Sequence, residues 1–370
     1  DRVTTPLIRR GRRWVRATWP EAIRAAAAGL ARARERHGPN ATGILGSARG
    51  TNEENYLAGK FARVALGTNN ADNCARVCHA PSAAALKASL GTGAATNSLD
   101  DIEQAETILV IGANPTAAHP VVGARILARA RRGATLIVVD PRRTELAAAA
   151  DVFLPIRPGT NLPLLNALAA AILGEGRHDA AFVATRTTGF AAWRDAVGAW
   201  TPERAATACG VDASLVREAA RRYAERRPAI AFWGLGLTEH VQGPEAVPAL
   251  VTLALMTGNV ARPGAGLNPL RGQNNVQGAS HMGCDPAVLA GAVPLAEGRA
   301  RFAAAWGVPV PARPGLTATA MLDAARAGAL HALVVIGWDL MQSGAGERLT
   351  KEALAALDHL VVVDLFMSEG

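Results

Sequence analysis

Between Thr107 and Ile156, short uninterrupted apolar runs alternate with turn signals, and this pattern constrains the fold more than any other feature of the chain. Thr107-Ile108-Leu109-Val110-Ile111 stops at Gly112, Leu136-Ile137-Val138-Val139 stops at Asp140-Pro141, and Val152 to Ile156 is a third run. Pro120 opens a helix between the first two, and Gly133 closes it. A strand with no polar alternation must be covered on both faces, as in a parallel sheet flanked by helices. Similar runs lie at Thr42–Leu45, Ala229–Trp233, Ala332–Ile336 and Leu360–Val363. Thr18-Trp19-Pro20-Glu21 reads as a capping box for a helix ending near His37-Gly38-Pro39, and a second helix is expected over Glu53–Leu66. The predicted fold class is α/β, with doubly wound sheets.

Composition narrows the function classes. A chain of 370 residues that is 49% hydrophobic buries a sizeable core, as one large domain or two. The net charge of +8 is carried almost entirely by arginine, with lysine only at Lys60, Lys87 and Lys351. The arginines are scattered along helices (Arg125, Arg129, Arg131, Arg132; Arg217, Arg221, Arg222) without aromatic platforms between them. That argues against nucleic acid and for solvated helix faces, some of them meeting a phosphate-bearing cofactor. No apolar stretch approaches the ~18 residues of a membrane span, so no direct membrane insertion is expected. Cys74, Cys78, Cys209 and Cys284 are too few for a disulfide framework and read as reduced thiols. The chain begins at Asp1-Arg2-Val3 without a methionine. The expected location is the cytoplasm, and a periplasmic one stays open because a leader would be out of view.

Ligands bind where parallel strands end. The residues following the runs are Gly112-Ala113-Asn114-Pro115, Asp140-Pro141-Arg142-Arg143, Pro158-Gly159-Thr160-Asn161, Gly234-Leu235-Gly236 and Gly337-Trp338-Asp339. Glycine lets backbone approach a phosphate closely, and an acid such as Asp140 accepts hydrogen bonds from a ribose or purine edge. Each turn alone is an ordinary α/β turn; five together favour nucleotide binding. No G-x-G-x-x-G is present, which disfavours a simple nicotinamide site.

Two segments carry reactive chemistry. Cys74-Ala75-Arg76-Val77-Cys78-His79 pairs two cysteines at C-x3-C without the second pair a zinc site would show. On spacing alone Cys78 reads first as a buried hydrophobe. Its neighbours Arg76 and His79 are suited to stabilising a thiolate, a soft metal ligand. Arg271-Gly272-Gln273-Asn274-Asn275-Val276-Gln277-Gly278 follows a Gly- and Pro-rich loop (Arg262 to Pro269) and reads as neither helix nor strand. It is a surface loop or a carboxylate site, because an arginine fork binds a small carboxylate bidentately.

These segments resemble a known family. Arg76-Val77-Cys78-His79-Ala80-Pro81-Ser82, with Asn69-Asn70 upstream, resembles the active-site segment of molybdopterin-dependent formate dehydrogenase catalytic subunits. In that family a Cys or selenocysteine binds Mo or W and a His follows. Gly112-Ala113-Asn114-Pro115 with His119-Pro120, then Val139-Asp140-Pro141-Arg142, resembles the family's pterin-guanine-dinucleotide site. Leu270 to Gly278 resembles its second hallmark nearly residue for residue. The resemblance runs in consistent order over essentially the whole chain.

The resemblance implies two Rossmann-like domains, one inserted into the other: residues 1–73 plus 274–370, and a pterin-binding domain over 74–273. It implies a Mo or W bis(molybdopterin guanine dinucleotide) cofactor with Cys78 as metal ligand. Catalytic roles fall to Cys78, His79 and Arg271. Cofactor contacts fall to Gly112, Asn114, Pro115, His119, Asp140, Arg142, Gly159, Asn161, Gly234, Leu235, Gly236, Gln273, Gly337, Asp339 and Asp364. The implied reaction is reversible oxidation of formate to CO2, with hydride passing to a metal sulfido. Electrons leave through an Fe-S chain to NAD- or quinone-linked partner subunits. Arg271 would hold formate, and His79 would accept a proton or tune the site by hydrogen bonding. The family's N-terminal [4Fe-4S] cysteines and its C-terminal domain have no counterpart between Asp1 and Phe366-Met367-Ser368-Glu369-Gly370, so a central fragment, inactive on its own, is expected. The alternatives are another molybdopterin oxidoreductase such as a nitrate reductase, or a non-catalytic scaffold subunit of an electron-transfer complex.

Overall fold

The computed structural model describes residues 2–344 and 346–367; the terminal positions Asp1 and Ser368 to Gly370, used above to place the chain ends, lie outside the described residues. Nine strands, numbered along the chain, build two all-parallel sheets. They are β1 (Thr42–Gly46), β2 (Ala71–Asn73), β3 (Thr107–Ile111), β4 (Thr135–Val139), β5 (Val152–Leu154), β6 (Ala229–Trp233), β7 (Gly266–Pro269), β8 (Ala332–Ile336) and β9 (His359–Val363). The chain divides into two compact units, residues 1–77 with 273–370, and residues 78–272.

The first unit holds the sheet β9-β8-β1-β2. Thr42, at the start of β1, pairs with Ala332 of β8, so strands far apart in sequence lie side by side. Its strands feed two cores. Leu45, Leu333 and Val335 pack with Met321, Ala325 and Ala353 on one face. Ile44, Ala332 and Val334 pack with Leu30, Ala33, Ala62 and Leu66 on the other. The helix Trp19–His37 starts as expected, with the Glu21 carboxylate accepting from the Thr18 N–H at 2.8 Å and hydroxyl at 2.7 Å. The next helix runs Asn52–Phe61 and closes in a π turn over Ala62–Leu66. That turn carries Arg63, which is only 2% exposed and donates to Asn69 and to the carbonyls of Gly59, Gly283, Asp285 and Val288.

The second unit holds the sheet β5-β4-β3-β6-β7. Alternate residues of its fully buried strands point to opposite cores, which is why no polar residue interrupts them. Leu109, Ile111, Ile137, Val139, Ala231 and Trp233 face the helices Asn161–Gly174, Ala213–Glu225 and Gly243–Met256. Ile108, Val110, Leu136, Val138, Ile230 and Phe232 face Val122 and Ile126 of the helix Pro120–Arg131. The sheet is doubly wound, as the apolar runs require.

Two local readings are corrected. Gly266–Pro269, expected as loop, is the edge strand β7, paired in parallel with β6. An edge position tolerates Pro269 because one side of the strand needs no donor. Val276–His281, expected as irregular, is a short helix with Asn275 at its N-cap.

Candidate active site at the carboxyl ends of the strands

In the second unit the strand order reverses between β3 and β6, the point where an open α/β sheet leaves a crevice. The turns after these strands interlock there. Gly236 N–H donates to the Gly112 carbonyl at 3.0 Å, and Gly234 N–H to Ile111 at 3.3 Å. A Cβ on Gly236 would stand 2.7 Å from Gly112 Cα, and one on Gly112, whose φ is +57°, 2.5 Å from the Gly236 carbonyl carbon. Only glycine permits this approach. Asn161, 5% exposed, donates to the Gly236 carbonyl at 2.9 Å and ties in the turn at Gly159, whose φ is +82°. Asn114 caps the short helix that Pro115 begins. The Asp140 carboxylate closes its own turn by accepting from the Arg142 N–H at 2.8 Å, leaving the Arg142 side chain exposed. Leu235 is 36% exposed beside these turns.

Cys78, His79 and Arg271 all belong to this unit. Cys78 and His79 are buried and immediately precede the helix Ala80–Leu90. His79 Nε2 lies 2.9 Å from the Leu270 carbonyl, which can only accept, so Nε2 carries the proton. His79 Nδ1 must then accept, and Ser82 Oγ lies 2.9 Å away. Ser82 in turn accepts from the Trp233 indole N–H at 2.8 Å. The chain Trp233 to Ser82 to His79 to Leu270 is fully satisfied only with a neutral imidazole. Burial pushes the His79 imidazolium down to about 4; the Leu270 carbonyl works against burial, and the Arg271 guanidinium works with it.

Arg271 follows Leu270, and its guanidinium donates to the Gly93 carbonyl at 2.6 Å. Burial lowers its pKa, and the nearby Cys78 sulfur works the other way, so the two groups feel each other electrostatically. His119 Nε2 donates to the Arg271 carbonyl at 2.7 Å, while its buried Nδ1 finds no partner among the described residues. A buried acceptor left unsatisfied is a feature a bound polar group would complete. A glycine cradle for phosphates, that acceptor and a cationic thiol environment together fit a phosphate-bearing cofactor that carries a soft metal.

The remaining predicted contacts, Gln273, Gly337, Asp339 and Asp364, belong to the first unit. There too the strand order reverses, between β1 and β8, and the flanking turns meet: Ser47 Oγ donates to the Gly337 carbonyl at 2.8 Å. The Asp339 carboxylate caps its helix by accepting from Met341 and Gln342 N–H, and Asp364 accepts from Leu365 N–H at 2.6 Å. Arg76, expected to support a thiolate, instead pairs with Asp72 at 2.8 Å and Asp285 at 3.1 Å. Asp72 is buried and also accepts from Ala318 N–H, so the guanidinium is held by the charge that most needs it. Cys74 sits in this unit's core, its sulfur accepting from Ala48 N–H at 3.2 Å.

Sequence reasoning assigned no role to Ser82, Trp233 or Gly93. A tryptophan ending a fully apolar strand was the available signal, because a buried indole N–H requires an acceptor.

The profile of the family described as "Molybdopterin oxidoreductase" matches residues 2–370. Formate dehydrogenase H of Escherichia coli K12 is 42% identical over 374 aligned residues, covering all of this chain and 52% of that protein. The F420-dependent formate dehydrogenase subunit alpha of Methanocaldococcus jannaschii is 40% identical, over all of this chain and 54% of that protein. The chain thus spans about half the length of the curated relatives it matches. Among solved structures, acetylene hydratase from Pelobacter acetylenicus superposes with a TM-score of 0.78 over 99% of this chain and 53% of that one, at 23% identity, a likeness of fold. With parallel doubly wound sheets, glycine turns meeting at their switch points and a family match along its whole described length, this chain belongs to the molybdopterin oxidoreductase family.

Proposed function

We propose that the chain is the pterin-binding core of a formate dehydrogenase catalytic subunit, converting formate reversibly to CO2, a proton and two electrons. The observation that carries this reading is the grouping of Cys78, neutral His79 and half-buried Arg271 in one unit. It stands beside 38–42% identity to relatives named as formate dehydrogenases. The cofactor is molybdenum or tungsten held by two molybdopterin guanine dinucleotides, and when bound it takes up the two electrons that leave formate. A [4Fe-4S] cluster, and Fe-S and NAD- or quinone-linked subunits, would carry the electrons onward.

The residues divide the work. Cys78 supplies the thiolate ligand, and the positive Arg271 favours its ionised form. Gly112, Gly234 and Gly236, with Asn114, Pro115, His119, Asp140, Arg142, Gly159, Asn161 and Leu235, hold one dinucleotide. Gln273, Gly337, Asp339 and Asp364 serve the second from the other unit; the two units are the family's paired Rossmann-like domains. Arg271 has a rigid fork of donors, one of them fixed on Gly93, and its remaining donors receive the formate carboxylate. Both nitrogens of His79 are engaged and its proton affinity is low, so it orients the segment around Cys78 instead of taking the proton.

The test is Arg271→Ala in the full-length protein. Loss of a charged, oriented donor set lowers kcat/KM for formate by about 100-fold or more while metal and pterin stay bound. Unchanged formate kinetics in a fully loaded variant would remove Arg271 from this role. Nitrate reduction exceeding formate oxidation in the unaltered protein would overturn the substrate assignment.

A further inference from the structure

In the first unit, His37, His331 and Asp358 converge at the edge of the sheet opposite the strand carboxyl ends. His331 and Asp358 immediately precede the paired starts of β8 and β9, where Ala332 lies against His359. His37 is the last residue of the 19-residue helix Trp19–His37, a few residues before β1. The backbone fixes all three positions. His331 N–H donates to the Ala41 carbonyl at 2.8 Å, and Asp358 and His359 N–H both donate to the His331 carbonyl at 2.9 and 3.1 Å. The His359 ring lies where a Cβ on Gly29 would be, 2.3 Å away, so the helix that ends in His37 packs directly on β9.

The two imidazoles stack face to face, with centroids 3.6 Å apart and planes 6° from parallel. Asp358 Oδ2 lies 2.9 Å from His331 Nδ1 and 3.9 Å from His37 Nε2. One ligand atom from each residue falls within 4.8 Å of the others. We propose that His37, His331 and Asp358 form a binding site for a borderline divalent transition metal of the zinc class, separate from the pterin chemistry.

Three arguments support it. Two imidazoles and one carboxylate are a donor set suited to zinc, with a remaining position for water. A tetrahedral site with bonds of roughly 2.0–2.1 Å separates its ligand atoms by about 3.3 Å, and the two carboxylate-to-imidazole distances of 2.9 and 3.9 Å straddle that value. Because the stacked rings lie parallel, the exposed His37 and Asp358 side chains must rotate for all three donors to point at one ion. The carboxyl end of the helix Trp19–His37 also presents the negative pole of its dipole to the bound cation. Bound there, the ion clamps the helix to the β8 and β9 turns.

The experiment is equilibrium dialysis of the full-length protein against low-micromolar zinc, with metal counted per chain, for the unaltered protein and for His37→Gln, His331→Gln and Asp358→Asn. The expected result is one zinc equivalent lost in each variant, with formate turnover and pterin content unchanged. Zinc-edge X-ray absorption of the unaltered protein, differenced against Asp358→Asn, should show nitrogen and oxygen neighbours including two imidazoles. Equal zinc in Asp358→Asn and the unaltered protein overturns the proposal, as does sulfur in the difference shell. Asp358→Asn is nearly isosteric and decides the matter even if a histidine variant fails to fold.

Discussion

Ser82→Ala tests the hydrogen-bond chain behind Cys78. Ser82 is fully buried and is the single link between the Trp233 indole N–H at 2.8 Å and His79 Nδ1 at 2.9 Å. Removing its hydroxyl orphans one donor and one acceptor inside the second unit's core. Each orphan costs about 1–3 kcal/mol, so the expected destabilisation is about 2–6 kcal/mol. A chain of two compact units need not unfold in one step, so a global midpoint would blur this local effect. Amide hydrogen exchange over the helix Ala80–Leu90, read by mass spectrometry on peptides, isolates it. A loss of about 2 kcal/mol there is roughly a 30-fold faster exchange. Trp233→Phe provides the control: it removes the donor but leaves Ser82 donating to His79, and should cost about 1 kcal/mol. Adding Ser82→Ala to Trp233→Phe should then cost less than Ser82→Ala alone, because one orphan has already gone. Exchange in Ser82→Ala within a factor of three of the unaltered protein would refute the chain and the neutral tautomer assigned to His79.

Acid should weaken the second unit through His79. Its folded-state pKa of about 4 lies below the ordinary imidazole value of about 6.5, so within that window the unfolded chain binds a proton that the folded one refuses. This contribution is fully present above about pH 6.5 and is lost as pH falls toward about 4, amounting to about 3 kcal/mol; the loss of exchange protection over Ala80–Leu90 between the two ends of the window, corrected for intrinsic exchange, should be smaller by about that amount in His79→Gln. Gly236→Ala places a methyl 2.7 Å from Gly112 Cα and 2.9 Å from its carbonyl oxygen, so backbone must move. About 1–3 kcal/mol of destabilisation and a drop in pterin content per chain are expected, and full pterin occupancy would show that the interlocked turns do not hold it.

Most strands of the two sheets were legible in the sequence because burial on both faces leaves uninterrupted apolar runs such as Ile108–Ile111; the strand Ala71–Asn73, which carries Asp72 and Asn73, was not. Gly266–Pro269 was not legible, since an edge strand needs neither a full ladder of donors nor two apolar faces. Cys78, His79 and Arg271 stood out by residue type and by resemblance. Ser82 and Trp233 did not, because each is ordinary in its own segment and acquires meaning from the other, 151 residues away.

Local pattern, then, determined most of the segments that become strands and helices and which turns carry glycine, because burial and backbone freedom act residue by residue. Tertiary structure alone decided the rest. It committed Arg76 to Asp72, and it locked His79 as a neutral ring between Ser82 and Leu270. It also gathered His37, His331 and Asp358 at one sheet edge. Protonation state and ligand convergence depend on distance and desolvation, quantities that exist only once segments far apart in the chain have packed together.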